Sequence, residues 1–385
     1  MHKFLLFPVL LFSVMLHASG SELKTKNPLA LQLPPAIYAV PGVEINIYFD
    51  NVVLTVKPDN YVFDVDCKKG YNDAKRWRFL PKKQDIGEYP LKIRILNSEN
   101  KLIGQAETKV IVAPQNAGIG KSISLLVIGD SLTNASVYAR RINELFKLSG
   151  NPKLKFIGSH SGGGKKPGKD GVCHEGYGGW GWLTFCGMWS NRKDYRARSK
   201  FLVLKSGKQT LNFKAYCAKY NNGKAPDFIT IMLGTNDVFA ANDKNIDKSI
   251  KSVFKYMDMF LKELVKAAPD AKIGVALTPP PAGSQDAFSA NYKCGQTRWQ
   301  FKRNQHRLIT AMINKFKTNK NKNLSLVPVY VNLDTKNGFP VWNEAIIYGD
   351  KVRVKRQRNG VHPSARGYRQ IGDSFYAWMK CHLTK

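Results

Sequence analysis

The chain has 385 residues, 43% of them hydrophobic, and carries 60 Lys and Arg against 28 Asp and Glu for a formal net charge of +32. That apolar content is ample for a packed core and excludes a chain too polar to fold, and no stretch beyond the N-terminus is long and apolar enough to span a bilayer. A field of this sign attracts polyanions.

Met1-His2-Lys3 is a short basic start, followed by an apolar run over residues 4–16 and the small residues Ala18-Ser19-Gly20. This is the pattern of a secretory signal peptide, placed at residues 1–20. Pro8 and His17 interrupt it as a membrane span, and no Cys stands at the cleavage point for a lipid anchor. The mature protein is expected to be soluble and periplasmic or secreted. Export shifts the expected partner from nucleic acid, the default inside a cell, to an acidic polysaccharide or an anionic envelope component. A charged surface that serves solubility is the equal alternative.

Residues 21–113 alternate short apolar segments with turn signals, giving strands at 36–40, 43–49, 52–56, 91–95 and 108–112. Period-two strands without helices argue for a small all-β sandwich. Residues 114–121, small and rich in Gly, read as a linker. Residues 122–385 then alternate strands (123–128, 154–157, 228–233, 273–277, 324–331) with amphipathic helices. The helices carry Val137, Ile142, Leu145 and Phe146, then the apolar stripe of residues 246–268, then Leu308, Met312 and Phe316, and last Tyr368, Ile371, Phe375 and Trp378. This is the α/β pattern of a parallel sheet covered on both faces, which binds ligands at the carboxyl ends of its strands. Residues 161–171 and 192–200 read as surface loops. The six cysteines predict one to three disulfides in an exported protein.

Three segments stand at element boundaries on that expected edge. Gly129-Asp130-Ser131-Leu132 ends the first strand and opens a helix; Gly234-Thr235-Asn236-Asp237 ends another strand; Asn359-Gly360-Val361-His362-Pro363-Ser364 enters the last helix. Singly they are an N-cap serine, an Asn-Asp turn and a solvated histidine. Together they supply a nucleophile, a hydrogen-bond donor and a base in one place. The run Gly162-Gly163-Gly164-Lys165-Lys166 lacks the spacing and the Ser/Thr of a phosphate loop. Cys173, His174, His160 and Cys186 make a weaker case for zinc than for disulfides, so neither metal nor cofactor is expected.

The segments resemble the consensus blocks of the SGNH hydrolase superfamily, the GDSL esterases. Gly129 to Thr133 is similar to its nucleophile block, Gly234 to Asp237 to its Asn block, and Val361-His362-Pro363 to its His block. His174-Glu175-Gly176-Tyr177-Gly178-Gly179-Trp180 resembles its Gly block, with Gly179 at the oxyanion position and Gly176 and Gly178 as neighbouring candidates. The resemblance covers residues 122–382. It implies a flavodoxin-like three-layer α/β/α domain and ester hydrolysis through an acyl-enzyme. Ser131 is then the nucleophile and His362 the general base, and the Ser131 N–H, Gly179 N–H and Asn236 side chain form the oxyanion hole.

Asn359 stands where the family usually carries Asp, which implies a Ser131–His362 dyad assisted by a neutral acceptor. Asp334, Asp350 and a backbone carbonyl are the alternative partners for the imidazole. The expected substrate is an O-acyl, chiefly O-acetyl, ester on a polysaccharide, possibly an acidic one. Lys351, Arg353 and Lys355 alternate just before His362, and period two would set these cations on one strand face as a substrate-binding strip. The rival readings are an O-acyltransferase acting on a glycan and a non-catalytic carbohydrate-binding protein with a degenerate hydrolase domain.

Overall fold

The structure, a computed structural model, describes Leu29 and residues 31–384. The signal-peptide reading of residues 1–20 lies outside the described residues. The N-terminal region folds as β1 (Ile37–Ala39), β2 (Ile45–Tyr48), the single turn α1 (Phe49–Val52), β3 (Val62–Asp66), β4 (Tyr71–Asn72), β5 (Arg76–Phe79), β6 (Gly87–Leu96) and β7 (Leu102–Val112). One sheet has the order β1-β7-β6-β3 and the other β2-β5-β4. Ile37, Ile93 and Val110 share one buried cluster with Ile47, Trp77 and Phe79, and Phe49 stacks on Phe63 with ring centroids 4.4 Å apart.

The strand expected at 52–56 does not form. The chain turns through α1 instead, because Asp50 and Asn51 reach outward to other elements: Asn51 Nδ2 donates to the Tyr330 and Leu333 carbonyls at 2.8 Å, and Asp50 accepts from Arg298 at 2.9 Å. Three further strands form, the charged β3 and β5 and the short polar β4. The stretch at 113–121 is a series of turns tied to the last helix by Lys380 Nζ, which donates to the Ala117 carbonyl at 2.5 Å.

The second region runs β8 (Ser122–Gly129), α2 (Ser131–Asn134), α3 (Val137–Phe146), β9 (Lys153–Ile157), β10 (Glu175–Gly176), α4 (Trp182–Gly187), the hairpin β11 (Leu202–Lys205) and β12 (Lys208–Leu211), and α5 (Phe213–Tyr220). It continues with β13 (Phe228–Met232), α6 (Thr235–Phe239), α7 (Ile246–Ala267), β14 (Lys272–Ala276), α8 (Gln285–Tyr292), α9 (Arg298–Lys317), β15 (Leu324–Val327), α10 (Val329–Asn332), the hairpin β16 (Val341–Ala345) and β17 (Arg353–Gln357), and α11 (Ala365–His382). The expected strand 324–331 stops at Val327. Pro328 has no N–H to continue the ladder, and the chain enters α10.

Every pairing of the central sheet is parallel: β8 pairs with β9, β10 and β13, then β13 with β14 and β14 with β15. Counting β8, β9, β13, β14 and β15 as one to five, the order is 2-1-3-4-5, the doubly wound arrangement whose switch point lies between the first and third strands. Residues of β8 alternate between faces. Leu125 and Val127 pack with Tyr138, Ile142, Phe375 and Trp378 of α3 and α11, and Leu126 and Ile128 with Met257, Phe260, Leu308 and Met312 of α7 and α9. Helices on both faces leave the sheet's carboxyl edge as the place where loops meet.

Among the described residues Cys67, Cys173, Cys186, Cys217 and Cys294 carry free thiols, so the expected disulfides do not form between them. Burial pushes the Cys173 and Cys186 thiols up to about 12. Among the described residues no group of His, Cys, Asp or Glu is arranged to hold a metal ion, and no helix is long and apolar enough to cross a membrane.

Candidate active site

Ser131 follows β8 and Asn236 follows β13, so the switch point brings them to one crevice. Gly129 is required at the end of β8, since a Cβ there would lie 2.0 Å from Thr133 Oγ1. The Asp130 side chain caps α2 by accepting from Leu132 N at 2.9 Å, which aims Ser131 out of the sheet edge. His362 arrives on the loop before α11. Its Nε2 lies 2.8 Å from Ser131 Oγ, a hydrogen bond between residues 231 positions apart. A hydroxyl at that distance can give its proton to a neutral imidazole.

Burial lowers the pKa of His362 from its ordinary value, which favours the neutral imidazole. Its Nδ1 lies 3.4 Å from Asn359 Oδ1. That oxygen already accepts from the backbone N–H of His362 at 2.8 Å and of Val361 at 3.1 Å. Asn359 is thus first a turn-former for the loop and only third a partner of the ring. Neither upstream aspartate replaces it. Asp334 closes its own turn by accepting from Lys336 N and Asn337 N at 2.9 Å, and Asp350 accepts from Val352 N at the hairpin tip.

Opposite the histidine, β10 pairs with the end of β8, Gly176 beside Gly129. Tyr177 to Trp180 then make a tight turn, closed by Trp180 N donating to Tyr177 O at 3.2 Å, with Gly179 at φ +82°. A type II turn demands a positive φ at that position, which favours glycine. Gly176 drops out as an oxyanion donor, because its N–H is spent on His174 Nδ1 at 3.1 Å. One N–H of Asn236 Nδ2 goes to the Trp180 carbonyl at 2.9 Å, which ties the Asn block to the Gly block. The same amide nitrogen lies 3.5 Å from Asp130 Oδ2, a contact loose enough to yield to a better acceptor.

A buried carboxyl, Asp130, and a half-buried one, Asp237, flank these donors. Desolvation pushes Asp130 up to about 7 and Asp237 up to about 6, and Asp237 accepts from Trp182 N at 3.1 Å. Behind β10 lies a buried polar network. The fully buried Glu175 accepts from Ser159 N at 2.6 Å, Ser159 Oγ and Tyr216 Oη at 2.8 Å, and from Tyr177 Oη. His174 accepts from Gly176 N, so its Nε2 is the donor to Ser136 Oγ at 2.7 Å. His160 Nε2 donates to the Gly176 carbonyl at 2.8 Å. The signal available in the sequence was an acid and a histidine directly before the glycine cluster. The loops expected to lie free on the surface are fastened to α2, where Asn134 Oδ1 accepts from Gly163 N at 3.2 Å and Tyr195 Oη at 3.3 Å.

The basic strip is only partly assembled. Arg353 and Lys355 occupy the same face of β17, opposite Ala345 and Asn343, and both are exposed. Lys351 lies outside the strand, in the turn that closes the hairpin, where the alternation no longer applies.

The profile of the GDSL-like Lipase/Acylhydrolase family matches residues 125–375, from inside β8 to inside α11. The chain belongs to that family. It is an ester hydrolase. Solved structures similar to it include a carbohydrate esterase family 3 protein from Talaromyces cellulolyticus at 17% identity, covering 68% of this chain and 98% of that one with a TM-score of 0.40. A Clostridium thermocellum family 3 carbohydrate esterase is also 17% identical, with 69% and 100% covered and a TM-score of 0.41. A lipase/acylhydrolase from Enterococcus faecalis is 14% identical, with 68% and 96% covered and a TM-score of 0.36. Among curated proteins none matches the chain in sequence. The family assignment rests on the profile match. The N-terminal sheets lie outside the matched residues.

Proposed function

We propose that this GDSL-family hydrolase is a serine esterase that removes O-acyl groups, chiefly O-acetyl, from an acidic polysaccharide outside the cytoplasm. The observation that carries the mechanism is the 2.8 Å contact between Ser131 Oγ and His362 Nε2. Ser131 Oγ attacks the ester carbonyl carbon as its proton passes to His362 Nε2. The tetrahedral oxyanion is held by the Ser131 and Gly179 N–H groups and by the N–H of Asn236 that faces away from Trp180. Collapse breaks the bond to the sugar oxygen, which takes the proton from His362, and water then repeats the sequence on the acyl-enzyme.

The charge of +32 and the exposed pair Arg353 and Lys355 on the hairpin support an anionic glycan. The leader pattern at residues 1–20 supports action after export. Acetate release from acetylated acidic and neutral polysaccharides, measured at low and high salt, tests the substrate. Faster release from the acidic members, lost as salt rises, is expected. Equal and salt-insensitive release would remove the electrostatic argument, and turnover by folded Ser131→Ala would remove the nucleophile.

A further inference from the structure

The hairpin β16–β17 has two different sides. The cross-strand partners Ala345 and Arg353, and Asn343 and Lys355, stand on the basic side. Trp342 pairs with Arg356 and Glu344 with Val354 on the other, which faces α8 across a groove of about 260 Å³ lined by Trp342, Glu344, Arg356, Asp286 and Ser289. That volume lies just below the range of ~300–1,000 Å³ usual for ligand pockets, so it suits one small ring rather than a length of chain.

Its chemistry is that of an amphipathic, hydroxyl-rich ligand. Trp342 is 42% exposed, and the Arg358 guanidinium lies 5.5 Å from the ring centroid, which fixes the indole on one side. The polar groups facing it are poorly used. Arg356 meets Asp286 at 3.5 Å and Glu344 at 3.4 Å, well beyond the ~2.7–2.9 Å of a good charge-assisted bond. Half-exposed pairs this long hold the hairpin weakly and leave acceptor and donor sites for hydroxyls. The carboxylates of Asp286 and Glu344 and the guanidiniums of Arg356 and Arg358 leave the groove close to electrically balanced, which suits an uncharged ring.

The groove is also joined to the catalytic loop. Arg356 is followed by Gln357, whose Oε1 accepts from Ser284 N at 2.9 Å at the start of α8, and the Gly360 carbonyl accepts from Ala282 N at 3.0 Å. The same short segment then reaches His362.

We propose that the groove between the hairpin and α8 is a saccharide subsite, in which one uncharged sugar ring stacks on Trp342 while its hydroxyls bond to Asp286, Glu344 and Arg356. The inference rests on the glycan-esterase reading and adds a binding position to it. Calorimetric titration of the Ser131→Ala protein with neutral oligosaccharides of β-1,4-linked xylose, glucose and N-acetylglucosamine, acetylated and not, tests it directly. At least one member binds, and adding Trp342→Ala weakens it about tenfold, with partial recovery in Trp342→Tyr and an intermediate loss in Glu344→Gln. No binding by any member, or equal binding after Trp342→Ala in a protein that melts normally, overturns the subsite. Acetate release by the wild type separates the two readings. Release from glycans with affinity indifferent to Trp342 leaves the esterase reading standing without the subsite, whereas Trp342-dependent binding without release from any glycan does the reverse.

Discussion

Ser131 and His362 reach one hydrogen bond from surroundings built by opposite means. On the nucleophile side Asp130, Thr133, His174 and Glu175 are all fully buried, and the backbone of β10 is held from behind by the hydrogen bonds of Glu175, His160 and His174. On the base side His362 rides a loop that starts at a hairpin with Ile347 and Tyr348 in open solvent, and its ring has a neutral, already occupied acceptor. Buried polar networks fix geometry because each unmade bond in low dielectric is costly. A loop turned by an Asn side chain fixes position but contributes little charge. The oxyanion donors are therefore expected to be rigid and intolerant of change, and the base to be tunable.

The largest effects test the shared bond. Ser131→Ala and His362→Ala should each lower kcat on a small acetyl ester by at least about 10⁴-fold with the melting temperature preserved. A much smaller loss for His362→Ala than for Ser131→Ala would mean that another group takes the proton. Asn236→Ala comes next, removing one donor from the rigid side. Its expected cost is ~10² to 10³ in kcat with little change in KM, and a change in KM alone would assign Asn236 to ground-state binding.

The legibility of the molecule follows the same division. Ser131, Asn236 and His362 were readable because each sits where an apolar periodic segment ends, and the segments 123–128, 228–233 and 246–268 have periods that survive inspection without tertiary knowledge. Strands β3 and β5 were missed because Asp64, Asp66, Arg76 and Arg78 break the apolar run, although Phe63, Trp77 and Phe79 turn inward. Val52 and Val53 misled because they are buried by a turn rather than a strand. The acid before the glycine cluster was visible but its partners were not, since Ser159, Tyr177 and Tyr216 meet Glu175 only once β9, β10 and α5 are packed.

That network gives the third test. Glu175→Gln keeps the shape but sets an amide N–H₂ among donors from Ser159, Tyr177 and Tyr216, leaving some of them without an acceptor in a dry interior. An unsatisfied buried donor costs about 1–3 kcal/mol, so denaturant unfolding should show a loss of about 2 kcal/mol. Because β10 leads straight into the turn of Gly179, kcat should fall as well, by about tenfold. Loss of stability with full activity would show that β10 keeps its place without Glu175, through its pairing with β8 and the bonds of His160 and His174.

The smallest effect bears on the tunable side. A general base works only while neutral, so kcat/KM declines as pH falls through the pKa of His362. Burial lowers that pKa, which places the decline below the ordinary histidine value of about 6.5. Asn359→Asp would set a carboxylate where Oδ1 now lies 3.4 Å from Nδ1. A negative charge that near favours the imidazolium and raises the pKa, so the decline moves to higher pH. The same charge stabilises the imidazolium formed as Ser131 attacks, so the rate on the plateau should rise by up to about tenfold. Asn359→Ala removes the acceptor of the Val361 and His362 N–H groups, and the looser loop should cost about tenfold without moving the pH profile. These opposite signatures separate charge from position. If Asn359→Asp left the pH profile unmoved while Asn359→Ala reduced activity, Asn359 would act on the loop alone, and His362 would work with no assistance at Nδ1.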